Sequence, residues 1–266
     1  MTALRITPLF AFGSRRALRM IERNLLVYKH GWLVLLSGFF EPFFYLLSIG
    51  FGLGRLVGDV AGPGGQMIPY ALFIAPALLA ASSMNGAITE STFNFFFKLN
   101  YDKTFASILT TPMSPADISL GELAWALMRG ALYTLGFLAV TVVFGLVRSP
   151  LVLLTLPGAL LIGFAFAAVG MAATSFMRTW QDFDLIQLVI LPMFLFSGTF
   201  FPLDALPEGV RLLVQLTPLY HGVDLLRQLS VGVLGPDILI HVVYLVVMGL
   251  IGLAIVSRRL DKLLLK

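Results

Sequence analysis

The feature that most constrains this chain is a series of long apolar stretches. A transmembrane α-helix needs about 20 mostly apolar residues to cross the roughly 30 Å hydrocarbon core of a bilayer. Stretches of that kind cover Gly31–Leu53, Met67–Thr89, Glu122–Val147, Leu151–Phe176, Asp184–Phe201 and Ile238–Val256. Only 12% of the 266 residues are charged, whereas a soluble domain carries about 25%. The sequence predicts an all-α polytopic membrane protein with six transmembrane helices.

The positions of lysine and arginine predict how these spans are oriented, because cytoplasmic flanks carry an excess of positive charge. With the N-terminus inside, the cytoplasmic set is Arg5, Arg15, Arg16, Arg19, Arg23, Lys29, Lys98, Lys103, Arg178, Arg258, Arg259, Lys262 and Lys266. The outer set is Arg55, Arg148, Arg211 and Arg227, and Arg129 falls within the third span. We therefore expect a multi-pass protein of a bacterial cytoplasmic (inner) membrane with both termini in the cytoplasm. Topology then explains the excess of lysine and arginine, so that no nucleic acid partner is expected and membrane lipids are.

We expect one domain, 1–266, that begins with an amphipathic helix. In Ser14–Lys29 the apolar Ala17, Ile21 and Leu25 share one side, and most of the charges lie elsewhere. A basic helix of this kind is suited to the membrane interface, so residues 1–30 should be cytoplasmic or interfacial. The alternative is the charged part of a signal peptide, which the lack of a small-residue cleavage site disfavours. Residues 31–256 would form the bundle and 257–266 a cytoplasmic tail.

Between the fifth and sixth spans, the segment Leu191–Arg227 predicts two short helices. The first would present Leu206, Val210, Leu213 and Val214 on one face. Thr217 as N-cap and Pro218 at the first helical position would open the second helix, on which Asp224 and Arg227 could pair. We interpret the segment as an extracytoplasmic re-entrant hairpin; an amphipathic loop lying on the bilayer is the alternative. The hairpin is marked by Pro202, Pro207, Pro218, Tyr220 and His221.

The same segment carries a family resemblance. SGTFFPLDALP followed by TPLYHGVDLLR, with EPFFYLLSIGFGLG at Glu41–Gly54, resembles the ABC-2 type transporter permeases, and most of all their nodulation lipo-oligosaccharide exporter branch. The resemblance implies a permease subunit that moves an amphiphilic, lipo-oligosaccharide or glycolipid-like substrate outward. It also implies two copies of a cytoplasmic ABC ATPase and a second permease copy, as a homodimer or a heterodimer. Efflux of drugs or hydrophobic antibiotics is the alternative within the family.

The cytoplasmic stretch Glu90–Gly121 contains the candidate contact with that ATPase. Its middle predicts a short amphipathic helix at Tyr101–Leu109, ended by Pro112, and Ser114-Pro115 should cap the next helix with Asp117 at its third position. By resemblance the short helix matches the coupling helix of ABC-2 permeases; a surface helix packed on the bundle is the alternative. The candidate coupling residues are Tyr101, Asp102, Lys103, Phe105, Ile108 and Leu109.

The chain itself has no nucleotide-binding motif. A P-loop needs a lysine directly after glycine, and none of the lysines follows one. We therefore expect a transport subunit that is not an enzyme, with ATP and Mg²⁺ bound on the partner chain. There is no cysteine, and the three histidines are too scattered for a metal motif, so neither a catalytic nor a metal site is predicted.

Two charges stand out within the spans, because an ionised side chain costs at least about 2.5–3.5 kcal/mol at the bilayer centre. Glu41 and Arg129 should lie at comparable depth, and we expect them to form an ion pair. A proton relay through Glu41 is the alternative. An ion-coupled secondary transporter is disfavoured because buried acids are few and no internal repeat is evident. By analogy with exporters of glycolipids and polysaccharides, Phe43, Phe44, Phe194 and Phe196 are candidates for the substrate path.

Overall fold

The computed structural model describes residues 15–29 and 40–265, and this part of the chain is nearly all helical. In chain order the helices are α1 (Arg15–Tyr28), α2 (Phe40–Val57), α3 (Tyr70–Tyr101), α4 (Thr104–Ile108), α5 (Pro115–Val143), α6 (Pro150–Thr174), α7 (Asp182–Phe196), α8 (Glu208–Gln215), α9 (Pro218–Val231) and α10 (Ile238–Leu264). Helix α10 continues beyond Val256, where the sequence placed the end of the bundle. Residues 31–39 of the first predicted span lie outside the described residues.

Five of these helices, α2, α3, α5, α6 and α10, are long and apolar enough to cross a membrane. The fifth predicted span, Asp184–Phe201, corresponds to α7, which has only 15 residues and ends at Phe196. The helix stops there because Gly198 adopts a left-handed conformation with φ of 74°, which a continuous right-handed helix does not contain. By length and composition, five helices among the described residues could therefore cross a membrane, and α7 is too short to be counted with them.

A small β-sheet follows α2. Strand β1 (Asp59–Ala61) pairs with β2 (Met67–Pro69) in antiparallel register, with Val60 opposite Ile68. The turn between the strands contains Gly64 and Gly65, both with positive φ, a conformation that glycine adopts without steric cost. The all-α prediction is therefore wrong for the β-hairpin formed by β1 and β2.

The centre of the bundle is α3, whose residues are buried along most of their length. It packs against α2, α5, α6 and α9. Alanines at several of its buried positions allow those helices to approach closely, which is the usual basis of helix packing in membranes. Helices α6 and α10 approach each other backbone to backbone: a Cβ at Gly252 would lie 2.7 Å from backbone atoms of Ala168 and Val169.

The segment predicted to be cytoplasmic, Glu90–Gly121, differs from its prediction at the start of the short helix. Helix α3 continues through wide π-type turns as far as Tyr101, and Lys103 takes a left-handed conformation with φ of 51°. The short helix α4 therefore begins only at Thr104. The predicted cap of α5 is confirmed: the Asp117 amide donates to Ser114 Oγ at 3.2 Å, and the Ser114 amide donates to Asp117 Oδ2 at 3.0 Å.

The segment before α10 contains the two expected short helices, α8 and α9. Thr217 occupies the N-cap position of α9 and Pro218 its first turn, as predicted, although the Thr217 hydroxyl donates to the Val214 carbonyl at 2.7 Å. Almost every residue of α9 from Leu219 to Val231 is buried. The helix is therefore part of the packed bundle.

Candidate functional site

The candidate coupling segment divides into residues that anchor it and residues that face outward. Phe105 is completely buried, and its ring lies 5.0 Å from that of Phe95 on α3. Ile108 and Leu109 are half-buried and also pack against the core. These three predicted coupling residues hold α4 to the bundle.

The outward face of the segment consists of Tyr101, Asp102 and Lys103, all exposed, together with Ala106 and Ser107 of α4. The Tyr101 ring rests 5.3 Å from that of Phe97. These five residues are the part of the candidate coupling segment that remains accessible to another protein. We name it the coupling face, residues Tyr101–Lys103 with Ala106 and Ser107.

A buried polar network lies next to this segment, around the Glu90 carboxylate. Glu90 forms an ion pair with Arg129 and accepts hydrogen bonds from Trp125 Nε1 at 3.0 Å and Asn94 Nδ2 at 2.8 Å. Arg129 also donates to the Tyr133 hydroxyl at 2.8 Å. The carboxylate is almost completely excluded from solvent, so its charge is stabilised by these donors instead of by water.

The predicted ion pair between Glu41 and Arg129 is wrong, since the partner of Arg129 is Glu90. Glu41 is exposed and borders a small pocket with Ser82 and Asn85. The physical reason is the length of α3, which extends past Thr89 and keeps Glu90 inside the bundle rather than in a loop.

A second ion pair continues the network toward the end of α3 that precedes α4. Lys98 Nζ lies 2.6 Å from Glu122 Oε2 and 3.5 Å from Asn24 Oδ1. Tyr28 of α1 stacks near Trp125 at 5.3 Å, and the Arg129 guanidinium lies 5.4 Å from the Tyr28 ring centre. Burial, and after it the charge of Glu90, raises the pKa of Tyr28, which keeps this phenol neutral. The network thus joins α1, α3 and α5.

The four aromatic residues predicted to line a substrate path lie on two neighbouring helices. Phe43 and Phe44 belong to α2, and Phe194 and Phe196 to α7. The two helices meet where Tyr45 approaches Phe194, with ring centres 6.3 Å apart. Phe44 and Phe196 are both exposed. The structure therefore places all four near one seam of the bundle.

Arg227, on α9, has a different environment from the one its sequence position suggests. It is almost fully buried, donates to the carbonyls of Gly198 at 2.7 Å and Phe73 at 3.3 Å, and lies 3.8 Å above the Phe73 ring. The expected pairing with Asp224 is therefore replaced by backbone carbonyls. The carbonyl of Gly198 is available because α7 ends nearby, which sequence periodicity does not reveal.

A polar cluster that sequence analysis missed joins α9 to the start of α10. His221 Nδ1 and His241 Nδ1 are 2.7 Å apart, and His241 Nε2 lies 3.0 Å from Asp224 Oδ2 and 3.1 Å from Asp237 Oδ2. Burial, and after it the neighbouring His241, lowers the pKa of His221, so that this ring is neutral at pH 7. The two histidines are 20 residues apart in the sequence, a spacing that predicts no contact. The short turn after α9 brings the two helices together. Tyr220 packs beside them, 5.5 Å from the His221 ring.

Comparison with known proteins shows similarity to a family of membrane transporters. A family model described as "ABC-2 type transporter" matches residues 16–230. Nodulation protein J of Rhizobium leguminosarum bv. trifolii is 34% identical over 254 residues, which cover 93% of this chain and 95% of that protein. Nodulation protein J of R. leguminosarum bv. viciae is 32% identical over 93% of this chain and 96% of its own length. Nodulation protein J of Rhizobium meliloti (strain 1021) is 32% identical over 245 residues, which cover 90% of this chain and 92% of that protein.

Members of this family are integral membrane transport subunits that typically work with an ATPase partner; they are not enzymes themselves. The helices long enough to span a membrane fit that description. With a family match over most of its length and relatives above 30% identity, this chain belongs to the ABC-2 type transporter family of membrane proteins.

Proposed function

We propose that this chain is the permease subunit of an ATP-driven exporter that moves an amphiphilic substrate from the cytoplasmic side outward. Hydrolysis would take place on two copies of a separate ABC ATPase, which would hold ATP and Mg²⁺. The observation that carries the proposal is the coupling face, because it is exposed while α4 is anchored through Phe105 to the central helix α3. Force applied there reaches the core of the bundle directly.

We propose six membrane crossings, with α7 as the short fifth. An odd number of crossings would place Arg258, Arg259 and Lys262 outside the cell, against the positive-inside rule. At about 1.5 Å per residue α7 is only about 22 Å long, so the non-helical residues after it would also lie at membrane depth. Such backbone is tolerated where protein satisfies it, and the carbonyls of Gly198 and Phe200 accept from Arg227 and from the Tyr70 hydroxyl.

In the same arrangement α8 and α9 would form the re-entrant hairpin on the outer side. The buried surface of α9 and its contacts with α3 and α6 support this position. Helix α1 would lie at the cytoplasmic interface, because it packs on α5 through Tyr28 and exposes Leu18, Leu25 and Leu26. Both termini would then be cytoplasmic, in a bacterial inner membrane.

The substrate we propose is a lipo-oligosaccharide or related glycolipid, on the basis of the relatives named nodulation protein J. An apolar groove of about 320 Å³ between α6 and α7 could receive an acyl chain; it is lined in part by Phe166, Leu185 and Val189. Efflux of a hydrophobic drug is the second candidate, since the same groove would accept it. A second permease copy would face the exposed seam of α2 and α7, with Phe43, Phe44, Phe194 and Phe196 beside the path.

The test is co-purification with the products of the neighbouring genes, followed by ATPase assays of any co-purified ABC ATPase with a lipo-oligosaccharide and with a hydrophobic drug. We expect Lys103→Glu, on the coupling face, to weaken binding of the ATPase, while Lys262→Glu in the tail leaves it unchanged. Stimulation by only one substrate class would decide between the candidates. Transport by the purified permease alone on an ion gradient, without nucleotide, would contradict the proposal.

A further inference from the structure

We propose that Asp224, Asp237 and His241 form a binding site for a divalent transition-metal ion, of the Zn²⁺ class, at the junction of α9 and α10. Asp224 lies on α9, Asp237 directly precedes α10, and His241 lies in the first turn of α10. One oxygen from each carboxylate and the Nε2 atom of the imidazole all lie within 4.8 Å of one another.

The distances suit a metal ion. The His241 Nε2 atom is 3.0 Å from Asp224 Oδ2 and 3.1 Å from Asp237 Oδ2. Ligand atoms around a tetrahedral Zn²⁺ with bonds of about 2.0–2.2 Å are about 3.3–3.6 Å apart. An outward movement of a few tenths of an ångström would therefore accommodate an ion between the three ligand atoms. A set of one imidazole and two carboxylates favours Zn²⁺ or a similar first-row cation.

The charges of the cluster also call for a cation. Two carboxylates converge on one ring nitrogen, and among the described residues neither carboxylate forms an ion pair with a lysine or an arginine. The nearby Arg227 guanidinium hydrogen-bonds instead to the backbone carbonyls of Phe73 and Gly198. A divalent ion would balance both carboxylates.

Each proposed ligand is held by a neighbour, as in established metal sites. His241 places its other ring nitrogen 2.7 Å from His221 Nδ1, which fixes the orientation of the imidazole. Gln228 Nε2 donates to Asp224 Oδ2 at 2.7 Å and to Asp237 Oδ2 at 3.1 Å. Its own carbonyl accepts from the Gly235 amide at 2.8 Å. The amide orientation of Gln228 is thus set, and so are the positions of both carboxylates.

A bound ion would cross-link α9 to the first turn of α10. The site is independent of the proposed transport function; only its position on the outer side depends on the proposed topology. Its test therefore needs neither an ATPase nor a substrate, and its failure would leave the transport proposal untouched.

The experiment is a titration of the purified, chelator-treated full chain in detergent, prepared without a polyhistidine tag. Zn²⁺ is added in competition with a chromophoric chelator, and Co²⁺ is added separately to follow its visible absorption. We expect one equivalent of Zn²⁺ per chain, and at least about tenfold weaker binding for Asp237→Asn and His241→Gln. Asp204→Asn, an exposed carboxylate elsewhere in the hairpin, is the matched control and should bind like the wild type.

Folding is checked by gel filtration and by thermal unfolding without metal. If His241→Gln does not fold, Asp237→Asn decides the question, since its half-exposed side chain lies in the turn before α10. Zn²⁺ should raise the unfolding temperature of the wild type and of Asp204→Asn but not of Asp237→Asn. A wild-type chain that takes up no stoichiometric Zn²⁺, or an Asp237→Asn variant that binds as tightly, would overturn the proposal.

Discussion

At the scale of single residues, the structure depends on charges that are buried and paired. Glu90 meets Arg129, and Lys98 meets Glu122, in a region where α1, α3 and α5 come together. Removing one partner of a buried ion pair costs about 3–5 kcal/mol, because the other charge is left without compensation. The pairs therefore specify which helices meet, even where their net contribution to stability is small.

A double-mutant cycle on Glu90 and Arg129 tests this. We expect Glu90→Gln and Arg129→Met each to lower the thermal stability of the detergent-purified protein. The double variant should lose less than the sum, with a coupling of about 0.5–3 kcal/mol. Glu41→Gln is the control, since Glu41 is exposed and has no ion pair among the described residues. Strict additivity of the two variants, or coupling of Arg129 to Glu41 instead, would refute the assignment.

The sequence indicates that Arg129 is a buried charge. Its partner, however, can be inferred from the sequence only by counting residues from the predicted ends of spans. Such a count fails when a helix continues beyond its apolar stretch, as α3 does beyond Thr89. His221 and His241 show the same limit, because a separation of 20 residues gives no sign of a 2.7 Å contact. Capping residues behave differently: Ser114 and Asp117 interact within one turn, so their pattern was sufficient.

At the scale of helices, packing depends on small residues at a few close contacts. One of them joins α6 and α10, where Gly252 lies against the backbone of Ala168 and Val169. A side chain pointing there cannot be accommodated by a rotamer change, because the atoms it would meet are backbone atoms. At Gly249, by contrast, a Cβ would meet the ring of Phe164, which could move.

We therefore expect Gly252→Val to destabilise the bundle by at least about 1–3 kcal/mol, the usual cost of overpacking. Thermal unfolding in detergent, monitored by loss of monodisperse protein, measures the effect. Gly130→Ala on α5 is the control, since a Cβ there has no neighbouring atom within 4 Å. A Gly252→Val variant as stable as Gly130→Ala would show that the two helices are less closely packed than described.

The sequence was also less informative about where helices end than about where they exist. Hydropathy located the centres of α3, α5, α6 and α10, because burial in a membrane requires long apolar segments. It did not predict that α7 stops at Phe196 or that α4 begins at Thr104. Both boundaries depend on a left-handed residue, Gly198 and Lys103 respectively, and only glycine has a clear sequence preference for that conformation.

At the scale of the whole molecule, the number of membrane crossings can be tested by cysteine labelling, because the sequence contains no cysteine. Single cysteines introduced at Asp204, Asp102 and Lys262 would report on three exposed positions. We expect a membrane-impermeant maleimide to label Asp204→Cys in intact spheroplasts, and the other two only after permeabilisation. Labelling of Lys262→Cys in intact spheroplasts would indicate an odd number of crossings and contradict the proposed topology.

The great length of α3 has a mechanical consequence. At about 1.5 Å per residue, its 32 residues extend about 48 Å, from the short helix α4 at one end to Tyr70 at the other. The hydroxyl of Tyr70 donates to the Phe200 carbonyl, next to the backbone that Arg227 of α9 also binds. Most of the residues between these two ends are buried among other helices. Displacing α4 would therefore alter the opposite end of the bundle through a single continuous helix.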